Sequence, residues 1–421
     1  MGMNAAPRRN NETLTLNALP MSPLLLVRLW IMVFLHYFVW GTWYVTMGTY
    51  ATTKLHFAGG QVGLAYGSTA VGALVSPLIV GTIADRFFPT QRILAVLHLV
   101  GAGLLYWVST MTEFSGFYPV LLVYTISYMA GHGLTNGLTL HHSKNPAKEF
   151  PLVMVMASVG WIVAGLAVSW LKLEDNAGMF RLASGAALIM GLYSLTLPHT
   201  PPKGVDKPIS LGTLLGFDAL RLMRDRSFAI FMICSFLICV PLSFYFSWMN
   251  VFMNEMNIPN AAAKMTLGQV SDVVFLLLLP ALLLRIGAKG ILMLGIGAWA
   301  LRFGLFALFH QNPSQLWMLY TGILLHGMCY DFIFVMGRMY VDKRAGEDIR
   351  GAAQGLHAIV TLGAGMFVGS WLSGIVAQYY TQGTTHAWQP IWLIPAAMGA
   401  VLVVLFALYF KEDTHTSDSG T

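Results

Sequence analysis

HTPPKGVDKPISLGTLLGFDALRLMRDRS, residues 199–227, is a long polar stretch inside an otherwise apolar chain of 421 residues. Pro201, Pro202 and Pro208 interrupt any continuous helix, and Lys203, Lys207, Arg221, Arg224 and Arg226 make the segment basic. One charged side chain at the centre of a membrane helix costs about 2.5–3.5 kcal/mol, so this segment stays outside the hydrocarbon core. Its flanks do not. Crossing a ~30 Å core takes roughly 20 apolar residues. Stretches of that kind lie near 24–49, 60–83, 91–110, 116–139, 150–171 and 179–198 before the segment. After it they lie near 228–253, 265–286, 289–309, 315–338, 352–379 and 389–410. The expected architecture is an all-α membrane protein of 12 transmembrane helices. It divides into an N-terminal six-helix bundle (1–198), a cytoplasmic inter-bundle loop (199–227) and a C-terminal six-helix bundle (228–421).

Composition agrees with a lipid-solvated chain. Hydrophobic residues make up 56% and charged residues 10% of the sequence, against about 25% charged in an ordinary soluble domain. With the N-terminus in the cytoplasm, 19 of the 24 lysines and arginines fall on cytoplasmic segments. Only Lys54, Lys172, Arg181 and Lys264 fall at outer ends, and Arg302 lies inside a span. That asymmetry obeys the positive-inside rule and predicts both termini on the cytoplasmic side. A basic surface facing anionic lipid accounts for the pI of 9.2 without any nucleic-acid partner. After Arg8 and Arg9 comes the polar tract NNETLTLNALPMSP, which reads as no signal peptide. Cys234, Cys239 and Cys329 all fall in apolar runs and read as buried thiols. His141, His142 and His132 lack a carboxylate or cysteine at ligand spacing, so no metal is expected. Walker elements, nucleophile elbows and zinc motifs are missing from the sequence, which argues against an enzyme. No cofactor is expected.

Polar residues inside the spans carry the functional reading. Only Asp272 in span 8 and Asp331 in span 10 put carboxylates deep in apolar runs. Gln269, three residues before Asp272, shares its helical face, which should line a water-accessible cavity. A protonatable carboxyl there couples transport to protons; the alternative is a tie between helices. Arg302 sits at about the depth of Asp272, where it either pairs with that carboxylate or reaches backbone carbonyls. Trp40 and Trp43 lie too deep for an interfacial belt and offer either a stacking platform or core packing.

The halves echo each other in GTIADRFFPTQRILAVL (81–97) and LLLRIGAKGILML (282–294), each a basic turn between an even and an odd span. A 6+6 repeat of this kind suits a transporter whose halves rock about a midplane site. The Gly81-x-x-x-Asp85-Arg86 element resembles the signature loop of the major facilitator superfamily. More specifically, seven segments resemble the nucleoside:proton symporter family, the bacterial nucleoside permeases. They are WGTWYVTMGTY (40–50), TLPHTP (196–201), TLLGFDALRLMRDRSFAIF (213–231), GAWALRFGLFAL (297–308), CYDFIF (329–334), RGAAQGL (350–356) and WQPIWLI (388–394). The resemblance implies proton-coupled uptake of nucleosides by alternating access, by a monomer in a bacterial cytoplasmic membrane.

It also implies site residues. Asp272 and Asp331 match acidic family positions, and Asn136 and Gln354 match polar ones. Gly81, Asp85 and Arg86 would gate, with Asp85 meeting the start of span 11 near Arg350 and Gly351. Departures from the family pattern are concentrated in two spans. In span 5, Phe150, Pro151 and Gly160 are kept, but Met154, Met156 and Ala157 replace an arginine, a tryptophan and a glycine. Ser158 and Trp161 stand where the family has threonine and phenylalanine, and in span 7 Ser243 and Phe246 replace an amide pair expected at the ribose. Either Tyr245, Asn250 or Tyr330 supplies the missing donors, or the solute is a sugar or another polar, ring-bearing molecule. A non-transporting membrane sensor is the third class, against which stands the lack of an appended soluble domain.

Overall fold

In the computed structural model, residues 21–77, 88–202 and 217–411 are described. Gly81, Asp85 and Arg86 and part of the inter-bundle segment lie outside them. Span 1 is Pro23–Gly41 followed by Met47–Thr53, span 2 is Gly59–Ser76 and span 3 is Thr90–Val108. Spans 4 to 7 are Phe114–His142, Pro146–Trp170, Gly178–Ser194 and Arg226–Glu255. Spans 8 and 9 belong to one helical run, Ala261–Leu308, whose 48 residues are broken at Gly287, where φ is 69°. At ~1.5 Å per residue that run is more than twice the bilayer core, so the left-handed glycine separates two crossings. Span 10 is built from Leu316–Leu324, His326–Tyr330 and a π-helical turn, Asp331–Val335. Met336–Ala358 is broken in the same way at Gly346, with φ of 68°, and leads through a second π-helical turn, Ile359–Gly365, into Met366–Tyr379 of span 11. A two-stranded hairpin, Thr381–Gln382 against Thr385–His386, precedes span 12, Trp388–Tyr409.

Span 1 departs from the single helix expected over 24–49. It breaks at Thr42–Thr46, where Thr42 Oγ1 donates to the Val39 carbonyl at 2.8 Å and Thr46 Oγ1 reaches Met179 Sδ at 3.0 Å. Hydroxyls that bond to nearby backbone carbonyls compete with the helical ladder. Between residues 199 and 227, Phe217–Arg224 forms a short 3₁₀ helix, and Asp225 caps span 7 by accepting from the Phe228 amide at 2.7 Å. An ion pair between Asp225 and Arg344 at 2.9 Å fixes that cap against the helix after span 10.

Within the first half, span 1 packs on span 5, span 2 on span 4 and span 3 on spans 4 and 6. In the second half, the run of spans 8 and 9 packs on spans 10 and 12, and span 7 packs on spans 11 and 12. The halves meet where span 2 faces span 11, span 5 faces span 8, and the Met47–Thr53 piece of span 1 faces span 7. Close approach depends on missing side chains there: a Cβ on Gly63 would collide with the Ser370 carbonyl. Among the described residues, hydrogen bonds between the halves gather at one end. Thr49 Oγ1 donates to Asn250 Oδ1 at 2.5 Å, and Asn250 Nδ2 donates to Glu174 at 3.1 Å. Glu174 also accepts from Asn254 Nδ2 and the Ala262 amide, while Gly60 N donates to Gln378 at 2.9 Å. That end is sealed.

Candidate functional site

Between the halves, beyond the sealed end, lies a cavity of about 510 Å³. From the first half, Tyr37, Trp40 and Tyr44 of span 1, His132 and Asn136 of span 4, and Ser158 and Trp161 of span 5 line it. Phe246, Gln269, Asp272, His326, Tyr330 and Arg338 line it from the second half. The aromatic rings form a connected belt. Trp40 and Trp161 meet edge-to-face with centroids 5.2 Å apart, Tyr44 lies 5.4 Å from Phe246, and Phe246 lies 6.0 Å from His326. Rings in such edge-on and tilted contacts pack favourably on one another and make the cavity wall largely apolar.

Eight of the residues expected at the site therefore line one cavity: Trp40, Asn136, Ser158, Trp161, Phe246, Gln269, Asp272 and Tyr330. The structure does not bring Trp43, Ser243 or Gln354 there. Trp43 is fully buried, edge-on to Tyr124 at 5.8 Å and stacked near Phe180, because the break at Thr42–Thr46 turns it into the first half. Ser243 is fully buried and donates to the Cys239 carbonyl one turn back at 2.8 Å. Gln354 donates to the Arg338 carbonyl at 2.8 Å and to Asp342, joining the helix ends after span 10 and before span 11. Of the substitute donors, Asn250 belongs to the sealed end and Tyr245 lies under Arg302, so Tyr330 alone reaches the cavity. The gating residues Gly81, Asp85 and Arg86 lie outside the described residues.

The charged groups are layered. Asp272 is on the cavity wall, and its Oδ1 is buried without a hydrogen-bond partner. Asp331 lies off that wall, buried in the π-helical turn of span 10, with Oδ2 likewise unpartnered. Arg302 forms no ion pair with Asp272. Its guanidinium Nη1 meets His326 Nδ1 at 2.9 Å, and it sits 3.5 Å from the centre of the Tyr245 ring. A guanidinium only donates, so Nδ1 of His326 accepts and a neutral ring keeps its hydrogen on Nε2. A buried cation behind the cavity thus fixes a histidine that lines it.

Sequence reasoning missed how the histidines assemble. His132 is drawn into contact with His36, which in turn meets His98, rather than with His141 and His142. A signal was available: His132 precedes Asn136 by four residues, so both occupy one face of span 4. Arg338 was counted with the cytoplasmic cations and is found on the cavity wall.

A family model described as "Nucleoside H+ symporter" matches residues 24–415. The chain is 38% identical over 395 residues to the "Putative nucleoside transporter YegT" of Escherichia coli (strain K12), covering 90% of this chain and 92% of that protein. It is 33% identical over 399 residues to the "Xanthosine permease" of the same organism, covering 91% and 96%. A crystal structure of the nucleoside transporter NupG superposes with a TM-score of 0.85 at 31% identity, covering 92% of this chain and 100% of that one. The POT family transporter PepTSo, at 14% identity and a TM-score of 0.69, shares the fold alone.

Proposed function

Since the chain belongs to the nucleoside H+ symporter family, and is a multi-pass inner-membrane transporter rather than an enzyme, we propose that it couples proton and nucleoside movement at this cavity, with Asp272 as the proton carrier. The observation that carries the reading is the placement of Gln269 and Asp272, one helical turn apart, on the wall of an aromatic cavity between the halves. The base stacks against the Trp40, Trp161 and Phe246 rings, and Asn136, Ser158, Gln269 and Tyr330 bond its edge and the ribose. Gln269 touches the solute and neighbours the carboxyl, so solute and proton occupancy influence each other.

Coupling follows from the cost of charge. An ionised Asp272 is expensive to enclose in a dry conformer; a protonated one is not. Movement between the two open states is then allowed for the carrier that holds both solute and proton and slowed for one that holds solute beside an ionised Asp272. Asp331, one layer behind, is the second acidic group and shares a charge balance with Asp272.

The halves 1–198 and 228–421 are the rocking units, and both termini face the cytoplasm by the lysine and arginine bias. In that orientation the seam of Thr49, Glu174, Asn250 and Gln378 is the outer gate, and this conformer faces inward. Gly81, Asp85 and Arg86 form the opposing inner gate, and the protein acts as a monomer. Uptake of labelled uridine into cells making the protein, with and without a proton uncoupler and beside a panel of labelled sugars, tests the reading. Concentrative uridine uptake that collapses with the uncoupler is expected; sugar uptake in its place would overturn it.

A further inference from the structure

The three histidines of the first half form a chain with a definite polarity. His98 Nδ1 lies 2.9 Å from the carbonyl oxygen of Leu94, one turn back on span 3. A carbonyl only accepts, so Nδ1 of His98 carries hydrogen and, in the neutral ring, Nε2 is an acceptor. His36 Nδ1 lies 3.1 Å from that Nε2 and must therefore donate to it, which leaves His36 Nε2 as an acceptor. His132 Nδ1 lies 3.3 Å from His36 Nε2 and must donate in turn. One backbone carbonyl thereby sets the tautomer of three rings. The free end is His132 Nε2, a buried acceptor without a hydrogen-bond partner in a residue that lines the cavity.

The chain is built into the fold. The His36 ring stacks on Tyr128 with centroids 4.7 Å apart and planes 9° apart, and Tyr128 Oη donates to the His36 carbonyl at 2.6 Å. Gly131 leaves room for it: a Cβ there would lie 2.7 Å from His36 Cε1. His36 and His98 are both buried. A proton wire is the other obvious use of linked imidazoles, but the far end is a helical carbonyl already engaged as an acceptor. It offers no onward site, so the chain positions rather than conducts.

We infer that His132 Nε2 is a hydrogen-bond acceptor for the solute, oriented through His36 and His98, which requires an N–H or O–H donor at that point of the nucleoside. The inference rests on the nucleoside occupying this cavity. A site built to accept such a bond leaves a buried nitrogen unpaired when the donor is missing, and it rejects the analogue accordingly. His132 is then a specificity-determining residue, and His36 and His98 are positioning residues.

The test measures KM and maximal rate of uptake by the full-length protein in proteoliposomes. The solutes are uridine and four analogues of it that each lack one donor: 3-methyluridine and 2′-, 3′- and 5′-deoxyuridine. For the parent, one analogue should show KM raised about tenfold to a hundredfold with the maximal rate little changed. In His132→Phe, uridine should fall to the level of that analogue, and the gap between them should close. His98→Gln, whose amide can donate to Leu94 and accept from His36, should keep the gap, and His98→Phe should shrink it. His132→Leu, which also has no acceptor, gives a second, smaller replacement should the phenylalanine protein fail to insert. A gap that is the same in the parent and in whichever His132 variant inserts overturns the inference and leaves the nucleoside reading standing. Absence of uridine uptake by the parent overturns both.

Discussion

The two walls of the cavity each present a histidine, and the two are fixed in opposite senses. On the first-half wall, His132 is held as an acceptor by a chain that ends on the Leu94 carbonyl. On the second-half wall, His326 is held with its hydrogen on Nε2 by the Arg302 guanidinium. The same side chain thus becomes an acceptor or a donor according to whether a carbonyl or a cation stands behind it. Charge is divided in the same way. The cavity's carboxylate, Asp272, and its cation, Arg338, both come from the second half, while the first half contributes aromatic rings, the His132 imidazole, an amide and the hydroxyls of Thr69, Ser76 and Ser158. On the proposed function, one wall holds a neutral solute in register and the other lets a charge appear and disappear beside it.

Replacing Asp272 by Asn attacks the charged wall directly. Accumulation driven by a pH gradient should fall to a ratio of about one, because the carboxamide cannot bind and release a proton. Exchange of labelled for unlabelled uridine without a gradient should persist. An Asn protein that still concentrates solute as the parent does would make Asp272 a structural tie and leave Asp331 or a histidine to be examined.

Glu174→Ala loosens the seam that joins the walls. It removes an acceptor used by Asn250, Asn254 and the Ala262 amide, each bond being worth about 0.5–1.5 kcal/mol. Labelling of a Ser158→Cys reporter by an impermeant reagent from the outside should rise roughly tenfold, a sign of the outward-open conformer. Unchanged labelling would show that the seam is held by helix packing alone.

Arg302→Met keeps an unbranched apolar stem in a fully buried position and removes only the group that fixes His326. Membrane yield should be near that of the parent, while KM for uridine rises by about tenfold, one lost charge-assisted bond's worth. Unaltered uptake kinetics would mean that the orientation of His326 does not matter to the solute. Asn136→Ala, on the neutral wall, should have the smallest effect. Its Oδ1 is buried and unpartnered, so KM should rise about fivefold while the response to an uncoupler stays that of the parent. Loss of proton coupling in this variant would break the division of labour between the walls.

Much of this was legible in the sequence because the bilayer punishes polar groups so heavily. Apolar runs of about 20 residues must cross, the segment at 199–227 must not, and the few polar residues left in the spans must face one another or water. That logic reached Asp272 and Gln269 without coordinates, and the family resemblance reached Asn136 and Trp161. It failed where side-chain direction depends on local backbone. A few deviations from a straight helix decide those directions: the break after Gly41 sends Trp43 inward and leaves Trp40 on the cavity, and the π-helical turn at Asp331–Val335 holds Asp331 off it.

Sequence alone determined the number of crossings and the family, because those follow from composition, length and motif, which are properties of single segments. Tertiary structure decided which partner stands behind each histidine. His36, His98 and His132 come from three different spans, as do Arg302 and the Tyr245 ring beneath it from two, and the tautomer of a ring is set by whatever the other nitrogen meets. No spacing within one helix encodes that. It arises only when separate spans are packed against each other and each buried donor must find an acceptor.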